Sequence, residues 1–340
     1  MKQLVKMEHI EKSFSQRKGD PITILRDIDV SIGEGEILCV VGESGCGKTT
    51  LGRILAGLLS YTDGSYKYEG REVVDLKGKD WDEFRNHVQL IHQNPYESLN
   101  PTTMIFDIIA NPIKKHKKIT KIDKLYEEVT SLLEIVGLTP VTDFVDKYPV
   151  NLSGGQKQRV SIARVLAMDP KFIVVDEATS MIDTSLRISL LTTLKEIQEK
   201  TGVSYFFITH DLALGRYFAK GEDLIVMYLG KIIEKAKTED FIKKPLHPYS
   251  KAILFAAVGE SGLLGNPDEF EHYILKGADI PSFQNVPSGC SLHPRCPQMM
   301  EGICDRLIPE LIEYEEDHFA ACHLYSKGKS IPIKDSDKSI

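Results

Sequence analysis

The sequence predicts an α/β fold in which helices cover a parallel β-sheet. Three continuous apolar runs support this prediction, at residues 37–41, 172–175 and 205–208. The first run leads into a glycine-rich loop and a helical segment, and the second ends at Asp176 and Glu177. Unbroken apolar runs are typical of strands buried on both faces, and their alternation with helical segments is typical of parallel sheets.

The first group of predicted secondary-structure elements spans residues 22–60. Residues 22–33 alternate apolar and polar positions, and with residues 37–41 they indicate a hairpin-like strand pair that ends in a buried strand. The loop at residues 42–50 follows. Leucines then recur at helical spacing in LGRILAGLLS, so the local order is strand, glycine-rich loop and helix.

Changes in composition along the chain predict its domain organisation. Residues 1–258 form the predicted ATPase-sized domain, with an inserted helical subdomain at about 96–160 that includes DKLYEEVTSLLEIVGL. The turn-rich stretch GESGLLGNPD marks a boundary. A small Cys-rich C-terminal region is expected at 259–325, and the polar residues 326–340 are expected to form a flexible tail.

Composition excludes several classes of protein. The 340 residues are 42% hydrophobic and 27% charged, as in ordinary globular proteins. The 42 basic and 49 acidic residues give a net charge of −7, so no nucleic-acid partner is expected, and the basic run at 114–118 is interpreted as a solvated face. The scattered charges of MKQLVKMEHIEKSF do not resemble a signal peptide, which predicts a cytoplasmic location.

The loop GESGCGKTT has the pattern of a nucleotide-binding phosphate loop. Its glycines allow backbone N–H groups to surround phosphate oxygens, and Lys48 would place a positive charge on the β- and γ-phosphates. The hydroxyl of Thr49 is a candidate Mg²⁺ ligand. The predicted ATP contacts in this loop are Gly42, Glu43, Ser44, Gly45, Cys46, Gly47, Lys48, Thr49 and Thr50.

Two further stretches fit ATP chemistry. Asp176 ends a buried strand, where a carboxylate is costly unless a cation such as Mg²⁺ compensates it. Glu177, next in the chain, is the candidate for polarising the water that attacks the γ-phosphate. A second glycine-rich turn, LSGGQ at residues 152–156, precedes a helical segment and predicts a second anion site.

Taken in order, GESGCGKTT, Gln93, LSGGQ, VVDE, Asp183 and His210 resemble the ATP-binding subunits of ABC transporters. The resemblance implies a P-loop NTPase fold of the ABC type, with a RecA-like core, a β-subdomain and the inserted helical subdomain. It also implies ATP and Mg²⁺ as cofactors. In that family two ATPase subunits dimerise head to tail, and each nucleotide lies between the phosphate loop of one subunit and the LSGGQ turn of the other.

The resemblance also implies individual roles. Gln93 matches the residue that senses Mg²⁺ and contacts the membrane subunits, so it is a third predicted Mg²⁺ ligand beside Thr49 and Asp176. His210 matches the residue that contacts the γ-phosphate and positions the catalytic groups. With Glu177 and Lys48 they complete the predicted catalytic set. The remaining residues that the resemblance assigns to ATP are Phe14, which would stack on adenine, and Asp183, Ser153, Gly154, Gly155 and Gln156.

Three stretches narrow the resemblance to the oligopeptide/dipeptide-type importers, a branch that includes nickel and oligosaccharide systems. They are QNPYESLNP, TTLGRILAGL and KPLHPYSKAIL with the cysteine-bearing tail. This branch implies peptide import through two membrane permease subunits at the cytoplasmic face, with an extracytoplasmic solute-binding protein. A heterodimer with a second ATPase subunit is favoured and a homodimer stays open. The alternatives are oligosaccharide or nickel cargo, or a soluble ABC-type ATPase acting on nucleic acid or ribosomes.

Four of the six cysteines fall late in the chain, where a reduced compartment favours metal ligands or buried thiols over disulfides. Four thiolates in one short segment can hold zinc or an iron–sulfur cluster, and neither the usual zinc spacing nor the bacterial ferredoxin spacing is present. The family resemblance favours a [4Fe–4S] cluster with a structural role, and zinc stays as the alternative. The expected ligands are Cys290, Cys296, Cys304 and Cys322.

Overall fold

The computed structural model describes residues 2–17, 19–180, 182–258, 274–277 and 279–325. The strands are β1 Gln3–Phe14, β2 Ile22–Gly33, β3 Ile37–Val41, β4 Asp63–Tyr68, β5 Arg71–Glu72, β6 Val88–Ile91, β7 Phe172–Asp176, β8 Ser204–Ile208, β9 Asp223–Tyr228, β10 Lys231–Lys237, β11 Ile312–Glu315 and β12 His318–Ala320. The α-helices are α1 Lys48–Leu55, α2 Lys79–His87, α3 Pro95–Ser98, α4 Ile105–His116, α5 Ile122–Ile135, α6 Gly154–Leu166, α7 Thr184–Thr201, α8 Leu212–Phe218, α9 Thr238–Lys243 and α10 Pro248–Val258.

The central sheet has the strand order β11-β12-β10-β9-β3-β8-β7-β6. Its strands β9, β3, β8, β7 and β6 are parallel, which confirms the predicted α/β arrangement. Every residue of β3, β7 and β8 is buried, since other parts of the chain cover both faces of the sheet. This burial explains why these strands are continuous apolar runs in the sequence.

The second sheet is antiparallel, with the order β2-β1-β4-β5. The predicted hairpin-like pairing of β2 with β3 is wrong, because β2 pairs with β1 whereas β3 lies between β8 and β9 in the central sheet. The physical reason is visible in the burial of the two strands. Alternate residues are buried along much of β2, as in a sheet with one covered face, whereas β3 is buried throughout.

Helices α3 to α6 lie in the chain between β6 and β7. The stretch DKLYEEVTSLLEIVGL forms α5, whose residues Leu125, Val129, Leu132 and Leu133 are buried at helical spacing. The helix ends before Gly137, whose φ of 73° favours glycine. The buried side chains of α4, α5 and α6 belong to the same hydrophobic core cluster as the inner residues of β7 and β8. The described helices include none long and apolar enough to cross a membrane.

Strands β11 and β12 continue the central sheet beyond β10, with Glu234 opposite Ala320 and Lys235 opposite Phe319. These two strands were not predicted from the sequence. Part of the Cys-rich region is therefore hydrogen-bonded to the same sheet that carries the phosphate loop. The predicted boundary at 259–268 and the predicted tail at 326–340 lie outside the described residues.

Candidate functional site

The predicted catalytic residues Lys48, Gln93, Glu177 and His210 follow the carboxyl ends of neighbouring parallel strands. In the order β3-β8-β7-β6, the phosphate loop follows β3, His210 follows β8, and Glu177 follows β7. Gln93 comes two residues after β6. Because parallel strands end at a common edge of the sheet, segments distant in the sequence meet there, which is the usual ligand site of open α/β sheets.

The phosphate loop is held tightly between β3 and α1. Gly42 has a φ of 155°, and a Cβ atom at that position would lie 2.3 Å from the carbonyl oxygen of Met227, so a side chain does not fit. Lys48 begins α1 and is 4% exposed, and its Nζ donates hydrogen bonds to the carbonyl oxygens of Gly42 at 2.7 Å and Glu43 at 2.9 Å. The loop therefore folds around its own lysine.

Thr49 and Asp176 form a pair of oxygen donors beside this loop. The hydroxyl of Thr49 donates to Oδ1 of Asp176 at 3.0 Å. Burial raises the pKa of Asp176, and the hydrogen bond from Thr49 partly opposes that shift. A hard cation near this carboxylate would favour its charged form, and the two oxygens are ligands that Mg²⁺ prefers. These residues therefore fit the predicted metal.

Glu177 lies at the centre of three strand ends. Its carboxylate Oε2 accepts a hydrogen bond from Nε2 of Gln93 at 3.0 Å and lies 3.3 Å from Nδ1 of His210. Its backbone has a φ of 46°, and its N–H donates to the carbonyl oxygen of Ile208. The structure thus brings together Glu177, Gln93 and His210, and Gln93, also predicted as a Mg²⁺ ligand, donates to Glu177.

The LSGGQ turn begins α6 with a reciprocal cap. The hydroxyl of Ser153 accepts from the N–H of Gln156 at 3.3 Å, and Oε1 of Gln156 accepts from the N–H of Ser153 at 3.0 Å. Ser153 is exposed, and Gly154 and Gly155 are half-buried. The turn therefore presents the positive end of a 13-residue helix toward the protein surface.

Phe14 and Asp183 occupy separate places in the fold. Phe14 ends β1 in the antiparallel sheet, is 40% exposed and has Nζ of Lys12 4.9 Å from its ring centroid. Its open face suits stacking on a planar base. Asp183 is exposed at the N-cap of α7, where its carbonyl oxygen accepts hydrogen bonds from the N–H groups of Leu186 and Arg187.

Two residues around the phosphate loop were missed by the sequence analysis. The N–H of Glu43 donates to Oη of Tyr249 at 2.8 Å, and the carboxylate of Glu43 accepts from both terminal nitrogens of Arg295 at 2.9 Å and 3.1 Å. These hydrogen bonds raise the pKa of the Arg295 guanidinium. Arg295 stands beside Cys296, and that position is the only feature of the sequence that sets it apart.

The four late cysteines lie near one another in the C-terminal region. The N–H of Cys290 donates to the carbonyl oxygen of Cys304 at 2.8 Å. Burial raises the pKa of Cys290 to about 11 and that of Cys322 to about 12, and the charges of Cys296 and Cys304 contribute to both shifts. Cys39 and Cys46 lie instead in β3 and in the phosphate loop.

Backbone N–H groups lie beside the four sulfurs. That of Met300 donates to Sγ of Cys304 at 3.5 Å, and those of Leu292, Gln298 and Leu324 oppose the effect of burial by lowering the pKa of Cys290, Cys296 and Cys322, respectively. Such bonds favour thiolates and are common around metal-bound cysteines. Among the described residues, no three of these sulfurs lie within 4.8 Å of one another.

The phosphate loop, the Thr49 and Asp176 pair and the strand-end cluster define an ATPase of the P-loop class. The family model described as "ABC transporter" matches residues 25–180, and the model described as "Oligopeptide/dipeptide transporter, C-terminal region" matches residues 233–304. The chain belongs to the ATP-binding subunits of ABC transporters.

Named relatives and a solved structure are similar to this chain over most of its length. The oligopeptide transport ATP-binding protein AppF of Bacillus subtilis (strain 168) is 38% identical over 318 residues, covering 93% of this chain and 94% of AppF. YkfD of the same organism, whose name provisionally assigns it to oligopeptide transport, is 38% identical over 327 residues, covering 96% and 97% of the two chains. The dimeric ATP-binding cassette MJ0796 bound to ADP and Pi has a TM-score of 0.62 at 25% identity, covering 69% of this chain and 99% of that one.

Proposed function

We propose that this chain hydrolyses ATP to energise the import of oligopeptides or dipeptides through separate membrane permease subunits. The observation that carries the catalytic part is the convergence of Gln93 and His210 on the Glu177 carboxylate. Support for a peptide cargo comes from the C-terminal family match at 233–304 and from the names of the relatives.

The proposal gives each residue of the site a task that its position supports. Lys48 and the loop N–H groups would bind the β- and γ-phosphates, and Thr49 with Asp176 would hold Mg²⁺, which neutralises phosphate charge. Glu177 would orient and polarise the attacking water. Gln93 and His210 hold the Glu177 carboxylate, so a change at either strand end would alter the position of the water.

The assembly is part of the same proposal. The outward-facing LSGGQ turn would complete the nucleotide site of a second ATPase subunit, in a heterodimer bound to two permease subunits at the cytoplasmic face of the membrane. An extracytoplasmic solute-binding protein would deliver the cargo.

The proposed division of the chain is an ATPase domain at 1–258 with its helical subdomain at about 96–160, a Cys-rich region at 259–325 and a tail at 326–340.

The C-terminal cysteines are proposed to hold a [4Fe–4S] cluster. Four neighbouring cysteines, one of which accepts a hydrogen bond from the backbone N–H of Met300, fit such a group. The choice of the cluster over zinc rests on the family resemblance, and zinc stays the alternative. The cluster would link the segments that carry the four cysteines.

Anaerobically purified protein is expected to be brown, with about four iron and four sulfide ions per chain. Replacing Cys322 with Ser should remove most of the iron, because one of four ligands is lost. Cys39→Ala is the control, since Cys39 is buried in β3 and is not one of the four proposed ligands. Iron and sulfide are measured by colorimetric assay. Stoichiometric zinc without iron would contradict this proposal.

The transport proposal is tested by affinity purification of the Glu177→Gln variant with MgATP from detergent-solubilised membranes of the native cell. Two integral membrane proteins and a second ATPase subunit should co-purify. Transport assays with these identified partners would then distinguish a peptide cargo from oligosaccharide or nickel. A Lys48→Ala sample serves as the control for nucleotide-dependent capture. Recovery of only ribosomal or nucleic-acid-binding proteins would favour the soluble ABC-type ATPase instead.

A further inference from the structure

Arg295 joins the Cys-rich segment to the first turn of the phosphate loop. The residue is 5% exposed, and its two terminal nitrogens donate to the two carboxylate oxygens of Glu43 at 2.9 Å and 3.1 Å. The two residues are 252 positions apart in the sequence. A bidentate guanidinium–carboxylate pair of this kind fixes geometry as well as charge.

The rest of the guanidinium is also held in place. Its Nε donates to the carbonyl oxygen of Gly277 at 3.0 Å, and Nη1 lies 3.3 Å from Oη of Tyr228. The backbone of Arg295 is fixed too, because its N–H donates to the carbonyl oxygen of Leu292 and its own carbonyl oxygen accepts from Lys276. Arg295 is therefore a rigid anchor on the C-terminal side of the contact.

Glu43 connects Arg295 to the phosphate-binding Lys48. Its side chain binds Arg295, its N–H donates to Oη of Tyr249 at 2.8 Å, and its carbonyl oxygen accepts from Nζ of Lys48 at 2.9 Å. One residue of the loop thus contacts both Arg295 and Lys48. A shift of Glu43 would move a hydrogen-bond partner of the lysine and the first N–H groups of the loop.

We propose that Arg295 is a positioning residue for the nucleotide site, which preorganises the phosphate loop through Glu43. The inference rests on the proposed function in one respect, since it takes ATP as the ligand of that loop. A loop ordered before binding does not have to be ordered by the nucleotide, so affinity is higher. The C-terminal segment is then part of the ATP site although it touches no nucleotide.

The test measures MgATP binding to the full 340-residue chain by isothermal titration calorimetry. Arg295→Met and Glu43→Gln should each raise the Kd about tenfold, because both changes break the same two-bond, charged pair. The double variant should therefore be no weaker than Arg295→Met alone. The Kd of Arg295→Lys should lie between those of the wild type and Arg295→Met, since lysine keeps the positive charge but cannot form the bidentate contact. Arg306→Met is the matched control, because Arg306 lies in the same region with its side chain 76% exposed.

The outcomes separate this inference from the proposed function. Normal wild-type binding together with unchanged Kd values for Arg295→Met and Glu43→Gln would overturn the role of Arg295 alone. A hundredfold loss in the double variant would also overturn it, because the two residues would then act independently. If Arg295→Met does not fold, Arg295→Lys and Glu43→Gln decide the question at unchanged melting temperature. No MgATP binding by the wild type would overturn the proposed function and this inference together.

Discussion

Replacing Glu177 with Gln is expected to lower kcat for ATP hydrolysis by about a hundredfold to ten-thousandfold, the usual range for loss of a general base. The amide keeps the size of the side chain and can still contact Gln93 and His210, which lie 3.0 Å and 3.3 Å from the carboxylate. It cannot accept the proton of the attacking water. ATP binding should persist, since the phosphate contacts of Lys48 and the loop remain.

The measurement is steady-state hydrolysis by the assembled transporter, alongside the Kd of the subunit for MgATP. Size-exclusion chromatography with MgATP should show the variant trapped as a dimer. Glu199→Gln is the control, because Glu199 is exposed on the last turn of α7. Hydrolysis at the wild-type rate would remove Glu177 from the mechanism and leave the water to another group.

The sequence predicted the parts of the site whose residues are adjacent in the chain. The loop after β3 and the acidic pair after β7 each combine an apolar strand with its functional residues in one short stretch, so local patterns were sufficient. The sheet then brings these stretches together, because parallel strands end at one edge. The roles of Gln93 and His210 needed the family resemblance, since neither residue stands in a local pattern that indicates chemistry.

Contacts between distant segments could not be predicted in this way. The pairing of Arg295 with Glu43 spans 252 positions, and β11 and β12 are only four and three residues long. The pairing of β2 was misassigned for a related reason. Strand periodicity shows which faces are covered, but it does not show which strand is the neighbour, and β1 rather than β3 fills that place.

Loss of the Glu234 carboxylate is expected to destabilise the fold strongly. It is fully buried on β10, where its carboxylate accepts from the N–H groups of Leu246 at 2.8 Å and His247 at 2.7 Å. Its Oε1 also lies 2.8 Å from Nε2 of His318 on β12. One carboxylate therefore joins the central sheet, the loop before α10 and the C-terminal strands.

Glu234→Ala should lower the free energy of unfolding by about 3–5 kcal/mol, the typical cost of breaking a buried charged contact from one side. The reason is that two backbone N–H groups and the His318 ring lose their acceptor while staying buried. Glu234→Gln should cost less, because its amide oxygen still accepts. Urea unfolding of the full chain measures the difference, with exposed Glu316→Ala as the control. An alanine variant as stable as the wild type would show that water or a neighbouring group replaces the carboxylate.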